Sequence, residues 1–198
     1  MNSWNKKVFE QQLSLNLKEL GEAYPPHWST FLKFILSQNL KKAKLLDVGC
    51  GAGVYYKLCS DNFPLLKYKG IDFSQDAISM AKAQWDSDVF EVKNYKDLKP
   101  EDGKEYDILL ISALLDNLED ADEAFRFILS LDFPFVIASR LRITDEASHR
   151  TEYDAYRGRY TAFHHNYNNL QRDIEAANYN IEDSNMSPTS MCVLLKKK

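Results

Sequence analysis

The sequence predicts an α/β protein: a doubly wound, mostly parallel seven-stranded sheet, preceded by an N-terminal helical cap and closed by a C-terminal antiparallel hairpin. Three observations predict this. Short apolar runs of strand length alternate with helical patterns through residues 43–140, no repeat or Gly/Ser- or Pro-rich linker divides the chain, and residues 179–198 read as strand, turn and strand. A chain of 198 residues with 44% hydrophobic and 27% charged residues can bury one real core, so a single domain over 1–198 is expected.

Within residues 4–20, Phe9, Leu13, Leu17 and Leu20 recur at helical spacing with Lys and Glu between them, and Gly21 ends the pattern. Pro25 and Pro26 force a break. Residues 27–40 then carry Trp28, Phe31, Leu32, Ile35 and Leu36 on one side, which makes 1–42 the helical cap. The core, 43–140, opens with a buried-strand run at 45–48 and a helix from 53 to 59. It continues with a strand at 68–72, a helix at 75–84, a strand at 89–93 and a polar loop through Gly103. An apolar strand at 106–112 follows, then a helix at 121–131 with Ala124, Phe127, Ile128 and Leu131 on one face, and a strand at 133–139. Such alternation implies right-handed crossovers and a parallel sheet covered on both faces. Residues 141–178 form a second, Tyr- and Arg-rich cap segment with a helix over 168–178, and the hairpin occupies 179–198, with its turn at 187–190. Lys196, Lys197 and Lys198 are expected to blunt an exposed strand edge.

Composition narrows the function. Lys and Arg total 25 against 29 Asp and Glu, a net charge of -4, so the basic excess that nucleic-acid backbones require is missing and no nucleic acid is expected as a partner. No apolar stretch approaches the roughly 18–20 residues of a membrane span, and charges run through residues 1–20, which predicts a cytoplasmic protein without a membrane partner. Cys50, Cys59 and Cys192 are odd in number and far apart, without a C-x-x-C pair, so reduced thiols and no metal site are expected.

The chemistry is carried by Asp47-Val48-Gly49-Cys50-Gly51-Ala52-Gly53, a D-x-G-x-G-x-G run between a buried strand and a helix. Glycines at alternate positions let the backbone turn sharply and leave room for a ligand at a helix N-terminus. A dinucleotide fingerprint G-x-G-x-x-G would need Gly at position 54, which is Val54, and a P-loop would need Lys-Ser or Lys-Thr after the glycines.

This pattern resembles the first motif of class I S-adenosylmethionine-dependent methyltransferases of the small-molecule type, and the resemblance spans roughly residues 42–140. It implies a Rossmann-like fold and S-adenosylmethionine as cofactor, with S-adenosylhomocysteine as product. It further implies that Gly49, Cys50, Gly51 and Gly53 pack against the methionine and ribose portions, and that Asp47 organises the loop and the ammonium end. Gly70-Ile71-Asp72-Phe73-Ser74 matches the family's second acidic position, where Asp72 would hold both ribose hydroxyls; a carboxylate suits two vicinal donors. At the third position the family usually has an acid near the adenine amino group, whereas here Asn94 stands in that place, with Tyr95 able to cover the ring. The fourth motif, through Ser112 to Leu118, resembles the strand end where cofactor and substrate meet, but Asp116 and Asn117 replace the His common in small-molecule members.

The resemblance leaves the acceptor open between O and N atoms of a small molecule. Six of the seven Arg (Arg140, Arg142, Arg150, Arg157, Arg159 and Arg172) lie between residues 140 and 172, interleaved with Tyr153, Tyr156, Tyr160, Phe163 and Tyr167, whereas all 18 Lys lie elsewhere. Arg is favoured for bidentate contact with carboxylate or phosphate and for stacking on rings. An anionic or sugar-like acceptor held by Arg140, Tyr156, Arg157 and Tyr160 is one reading; a surface of Arg-Tyr stacks and ion pairs is the other. Where the acceptor must lose a proton, His164, His165 and Asp116 are the candidate catalytic groups. A non-catalytic binding or partner module on the same fold is the alternative to an enzyme, and monomer and homodimer both fit the sequence.

Overall fold

The computed structural model describes residues 6–155, 158–187 and 190–198. Tyr156 and Arg157, and the middle of the turn expected at 187–190, lie outside them. The chain forms two compact units, residues 1–98 and 99–198.

The first unit runs α1 (Lys6–Gly21), α2 (Pro26–Ser37), β1 (Lys44–Val48), α3 (Val54–Asn62), β2 (Lys67–Asp72), α4 (Gln75–Trp85) and β3 (Phe90–Val92). Pro26 starts α2 because a proline at the first helical position gives up an N–H that has no partner there anyway. This helix buries Trp28, Phe31, Phe34 and Ile35, while Leu36 is exposed, so its apolar face is rotated toward Phe34 relative to the expected one. Ser74 caps α4 by accepting from the Ala77 N–H at 3.3 Å. Strands β1 and β2 pair in parallel, Asp47 opposite Gly70, and β2 pairs in parallel with β3, Asp72 opposite Val92.

The second unit contains α5 (Pro100–Glu105), β4 (Ile108–Ser112), α6 (Ala121–Leu129), β5 (Phe135–Leu141), β6 (Ile143–Thr144), β7 (His149–Ala155), β8 (Gly158–Asn166), α7 (Tyr167–Ala176), β9 (Tyr179–Met186) and β10 (Met191–Lys197). The seven-stranded sheet has the order β3-β2-β1-β4-β5-β10-β9, parallel except at its C-terminal strands, as the alternation predicted.

Three features depart from expectation. The polar loop before β4 contains α5, started by Pro100 and by Asp102, whose carboxylate accepts from the Lys99 N–H at 2.7 Å. Gly103 permits its packing, since a Cβ there would stand 2.0 Å from the Leu131 carbonyl oxygen. Second, β10 lies between β5 and β9, so the terminal lysines end an inner strand and do not guard an edge. Lys197 is instead ion-paired with Asp132 and sits 4.7 Å above the Tyr179 ring. Third, the Arg- and Tyr-rich segment, for which only a helix was expected, also forms a separate three-stranded sheet, β6-β8-β7. Its β7 is largely exposed, which is why no buried face marked it in the sequence.

Candidate functional site

The first unit builds a loop at the C-terminal ends of β1 and β2. The N–H groups of Gly49 and Cys50 both donate to the Ile71 carbonyl, at 2.8 and 3.0 Å, which pins the loop to β2 as it leaves β1. Gly49, Gly51 and Gly53 have φ of 76°, 52° and 80°, a left-handed conformation costly to any residue with a Cβ. Gly53 is doubly constrained, because a Cβ there would lie 2.6 Å from Phe90 Cζ and 2.9 Å from Trp85 Nε1. Trp85 braces the same turn by donating Nε1–H to the Ala52 carbonyl at 2.7 Å.

Of the two predicted acids, Asp72 bonds to this loop. Asp72 accepts from the Gly51 N–H on Oδ2 at 3.0 Å and from the Ser74 N–H on Oδ1 at 2.9 Å. Burial pushes its carboxyl up and these two backbone bonds pull it back down. Asp47 is 1% exposed and accepts from the Tyr68 hydroxyl at 2.6 Å. Burial is the main cause that raises its carboxyl from 3.8 to about 7, partly opposed by the Tyr68 bond and reinforced by the Asp72 charge. Cys50 is buried and its thiol is pushed well up by that burial and by Asp47 and Asp72, which works against thiolate formation there.

Phe73 is 61% exposed beside Asp72, and the Lys93 N–H donates to the Asp72 carbonyl at 3.0 Å, which keeps the ends of β2 and β3 side by side. Asn94 Oδ1 accepts from the Lys96 N–H at 3.0 Å and so caps the short 3-10 turn Tyr95–Asp97, leaving one lone pair of that oxygen for a further donor. Sequence reasoning missed Gln12 of α1, whose Oε1 stands 3.3 Å from where a Cβ of Gly51 would be. Its amphipathic pattern marked a helix but nothing about which loop that helix would touch.

The second unit brings together residues scattered over fifty positions. Ser112 ends β4, opposite Ser139 of β5, and the 3-10 turn Leu115–Asn117 then buries Asp116. Burial raises the Asp116 carboxyl, while the charges of Arg140, Arg142 and His165 oppose it. Arg142 Nε lies 3.7 Å from Asp116 Oδ2, and its guanidinium stacks 4.9 Å above the Tyr153 ring. Arg140 leaves β5 with a φ of 62°, a strained conformation for a residue with a side chain. Tyr160 is buried and tilted against Tyr153 across the β7–β8 pair, their ring centroids 6.1 Å apart.

The two histidines part company. Successive strand residues face opposite sides, and β8 places His164 against β7, where its Nε2 is 2.9 Å from Thr151 Oγ1 and its ring stacks on His149 at 5.0 Å. His165 is 0% exposed, with Nδ1 2.7 Å from Oδ1 of Asp122 in the first turn of α6. Asp122 was not foreseen, because 43 residues separate it from His165. Among the described residues no group of three or more His, Cys, Asp or Glu could hold a metal ion, and no helix is long and apolar enough to cross a membrane.

Known proteins share this fold. A family described as a methyltransferase domain matches residues 46–131. No curated protein matches the chain. Among solved structures, the magnesium protoporphyrin IX methyltransferase of Synechocystis with bound S-adenosylmethionine is similar over 96% of this chain and 84% of its own, at 14% identity and a TM-score of 0.64. The DesVI protein of Streptomyces venezuelae is similar over 94% and 97%, at 13% identity and a TM-score of 0.66. An S-adenosylmethionine-dependent methyltransferase of Clostridium acetobutylicum is similar over 95% and 98%, at 12% identity and a TM-score of 0.62. At such identities the likeness establishes the fold, while the domain match falls on the strand, glycine loop and acids described above. The chain is thus similar to S-adenosylmethionine-dependent methyltransferases in its fold, and to a methyltransferase domain in sequence over residues 46–131.

Proposed function

We propose that the protein transfers the methyl group of S-adenosylmethionine to an O or N atom of a small, anionic or sugar-like acceptor by in-line displacement, releasing S-adenosylhomocysteine. The observation that carries the cofactor half is the bond from the Gly51 N–H to Asp72 Oδ2 at 3.0 Å, which sets loop and carboxylate as one preformed cradle. Each Asp72 oxygen takes one backbone N–H and keeps lone-pair capacity for a ribose hydroxyl. The residues present therefore fit the cofactor. In this reading Asp47 faces the ammonium end, Gly49, Cys50, Gly51 and Gly53 give the backbone its close approach, and Phe73, Asn94, Tyr95 and Ser112 complete the nucleoside side.

The bound cofactor supplies an electrophilic methyl on a good leaving group, so the protein's share is alignment and exclusion of water. For the acceptor we assign Arg140 and Tyr160, with Tyr156 and Arg157 outside the described residues, as holding groups for an anionic or hydroxyl-bearing molecule. A proton released on transfer would go to His164, His165 or Asp116. Residues 1–198 act in this reading as one domain, monomer or homodimer, working in the cytoplasm without a nucleic-acid or membrane partner.

The test is calorimetric titration with S-adenosylmethionine and S-adenosylhomocysteine. Micromolar binding of both, abolished in Asp72→Ala, is the expected result. A wild-type protein that binds neither would reduce the methyltransferase reading to the fold alone.

A further inference from the structure

The glycine loop spends most of its own backbone donors. The N–H groups of Gly49 and Cys50 go to the Ile71 carbonyl, that of Gly51 to Asp72, and that of Gly53 to the Cys50 carbonyl at 2.9 Å. Its carbonyls are drawn on as well: Ala52 accepts from Trp85, and Gly53 from the Tyr56 N–H at 3.1 Å. Asp47 is 1% exposed and already accepts from the Tyr68 hydroxyl. A ligand whose end carries both an ammonium and a carboxylate has three N–H donors and two acceptor oxygens to place. Most of their partners must therefore come from outside the loop.

Within this unit no guanidinium can supply one, because residues 1–98 contain no Arg. The side chain that stands at the loop is Gln12. Helix α1 is seated by its buried residues Val8 and Phe9, and Gln12 follows them by four and three positions, which puts it on the same face. Its Oε1 lies 3.3 Å from where a Cβ of Gly51 would be, against a residue with no side chain and a φ of 52°. An amide carries its acceptor and its donors on one carbon, and an α-amino acid carries ammonium and carboxylate on one carbon, so the two match group for group.

We infer that Gln12 of α1 is a binding residue for the amino-acid end of the cofactor, Oε1 accepting from the ammonium and Nε2–H donating to the carboxylate; this rests on the methyl-transfer reading above. The motif residues then serve the nucleoside side through Asp72, and the other end of the same ligand is held by a helix that lies outside the motif. A neutral amide suits a zwitterion, since it meets both charges and adds none beside the buried Asp47 and Asp72.

The experiment is calorimetric titration of the full chain with three ligands: S-adenosylhomocysteine, its decarboxylated form, and methylthioadenosine, which keeps nucleoside and thioether but lacks the amino-acid end. A ligand too weak for direct titration is measured by displacement of S-adenosylhomocysteine. Gln12→Ala is expected to weaken S-adenosylhomocysteine about 10-fold or more, as befits hydrogen bonds to charged groups, and to leave methylthioadenosine within about twofold. Gln12→Glu keeps an acceptor and loses the donor, so it should shift the ratio of affinities toward the decarboxylated ligand by about 10-fold relative to wild type. Gln11→Ala, turned about 100° round α1 from Gln12, is the control for a loosened helix and should leave all three affinities within about twofold. A wild-type protein that does not bind S-adenosylhomocysteine would overturn the methyl-transfer reading and this assignment with it. Wild-type binding that Gln12→Ala leaves intact would overturn the assignment alone. So would an equal loss on methylthioadenosine, which marks a loop-shaping role, an equal loss in Gln11→Ala, or an unchanged ligand preference in Gln12→Glu.

Discussion

The Gly51 N–H donates to Asp72 Oδ2 at 3.0 Å, joining the turn after β1 to the end of β2 through a side chain 21 residues away. The carboxylate that would hold the ribose is therefore also a strut of the glycine loop. An Asn at position 72 has one oxygen for two backbone donors and turns an N–H₂ toward the other. Asp72→Asn is expected to lower stability by about 1–3 kcal/mol even without cofactor, measured by urea unfolding. An unchanged midpoint would show that the loop does not depend on this bond.

Gly53 and Gly21 provide an internal comparison. Gly53 combines a φ of 80° with Phe90 Cζ 2.6 Å from a prospective Cβ, whereas Gly21 has nothing within 4 Å. Gly53→Ala should cost about 2–4 kcal/mol from backbone strain and overlap together. Gly21→Ala should stay within about 1 kcal/mol of wild type, on the stabilising side. Thermal unfolding of the two variants side by side checks both.

Asp47 makes stability depend on pH. Its carboxyl, raised from 3.8 to about 7 by burial, binds its proton more tightly in the folded chain than in the unfolded one. Its contribution is thus fully present below about pH 4 and is lost as pH rises through about 7, at up to about 1.4 kcal/mol per pH unit. Asp47→Asn, which can still accept from Tyr68, should remove that slope from urea unfolding measured between pH 4 and 8. If Asp47 faces the cofactor's ammonium, binding at pH 6 should also release close to one proton, read by calorimetry in two buffers of different ionisation enthalpy.

Arg142 serves the buried Asp116 carboxylate from 3.7 Å. Arg142→Met removes the guanidinium that stacks on Tyr153 while keeping an unbranched apolar side chain beside the ring, and leaves Asp116 with Arg140 as the remaining guanidinium identified as opposing its burial. Stability should fall by about 1–3 kcal/mol, with the larger loss at pH 8, where the carboxylate must stay ionised, than at pH 5. Equal losses at both pH values would assign the effect to packing.

Much of the glycine loop and its surroundings was legible in the chain itself. Asp47, the three glycines and Asp72 lie on neighbouring strand ends, and strand ends are set by local patterns: an apolar run, a turn residue, a helical period. The loop geometry is equally local, since only glycine adopts those positive φ values readily. The sequence by itself therefore determined the seven-stranded sheet, the glycine loop and the acid that bonds to it.

Tertiary structure decided the rest, because it depends on which distant residues meet. Largely exposed and polar, β7 lacks the one-sided burial that marks a strand, so its sheet with β8 emerged only from pairing. The lysine-ended β10 became an inner strand because β9 added outside it. Of two adjacent histidines with the same side chain, strand alternation sent His164 to Thr151 and His165 into the interior. There it met Asp122 across 43 residues of sequence, and no spacing rule encodes that contact because its length is set by how α6 and β8 pack.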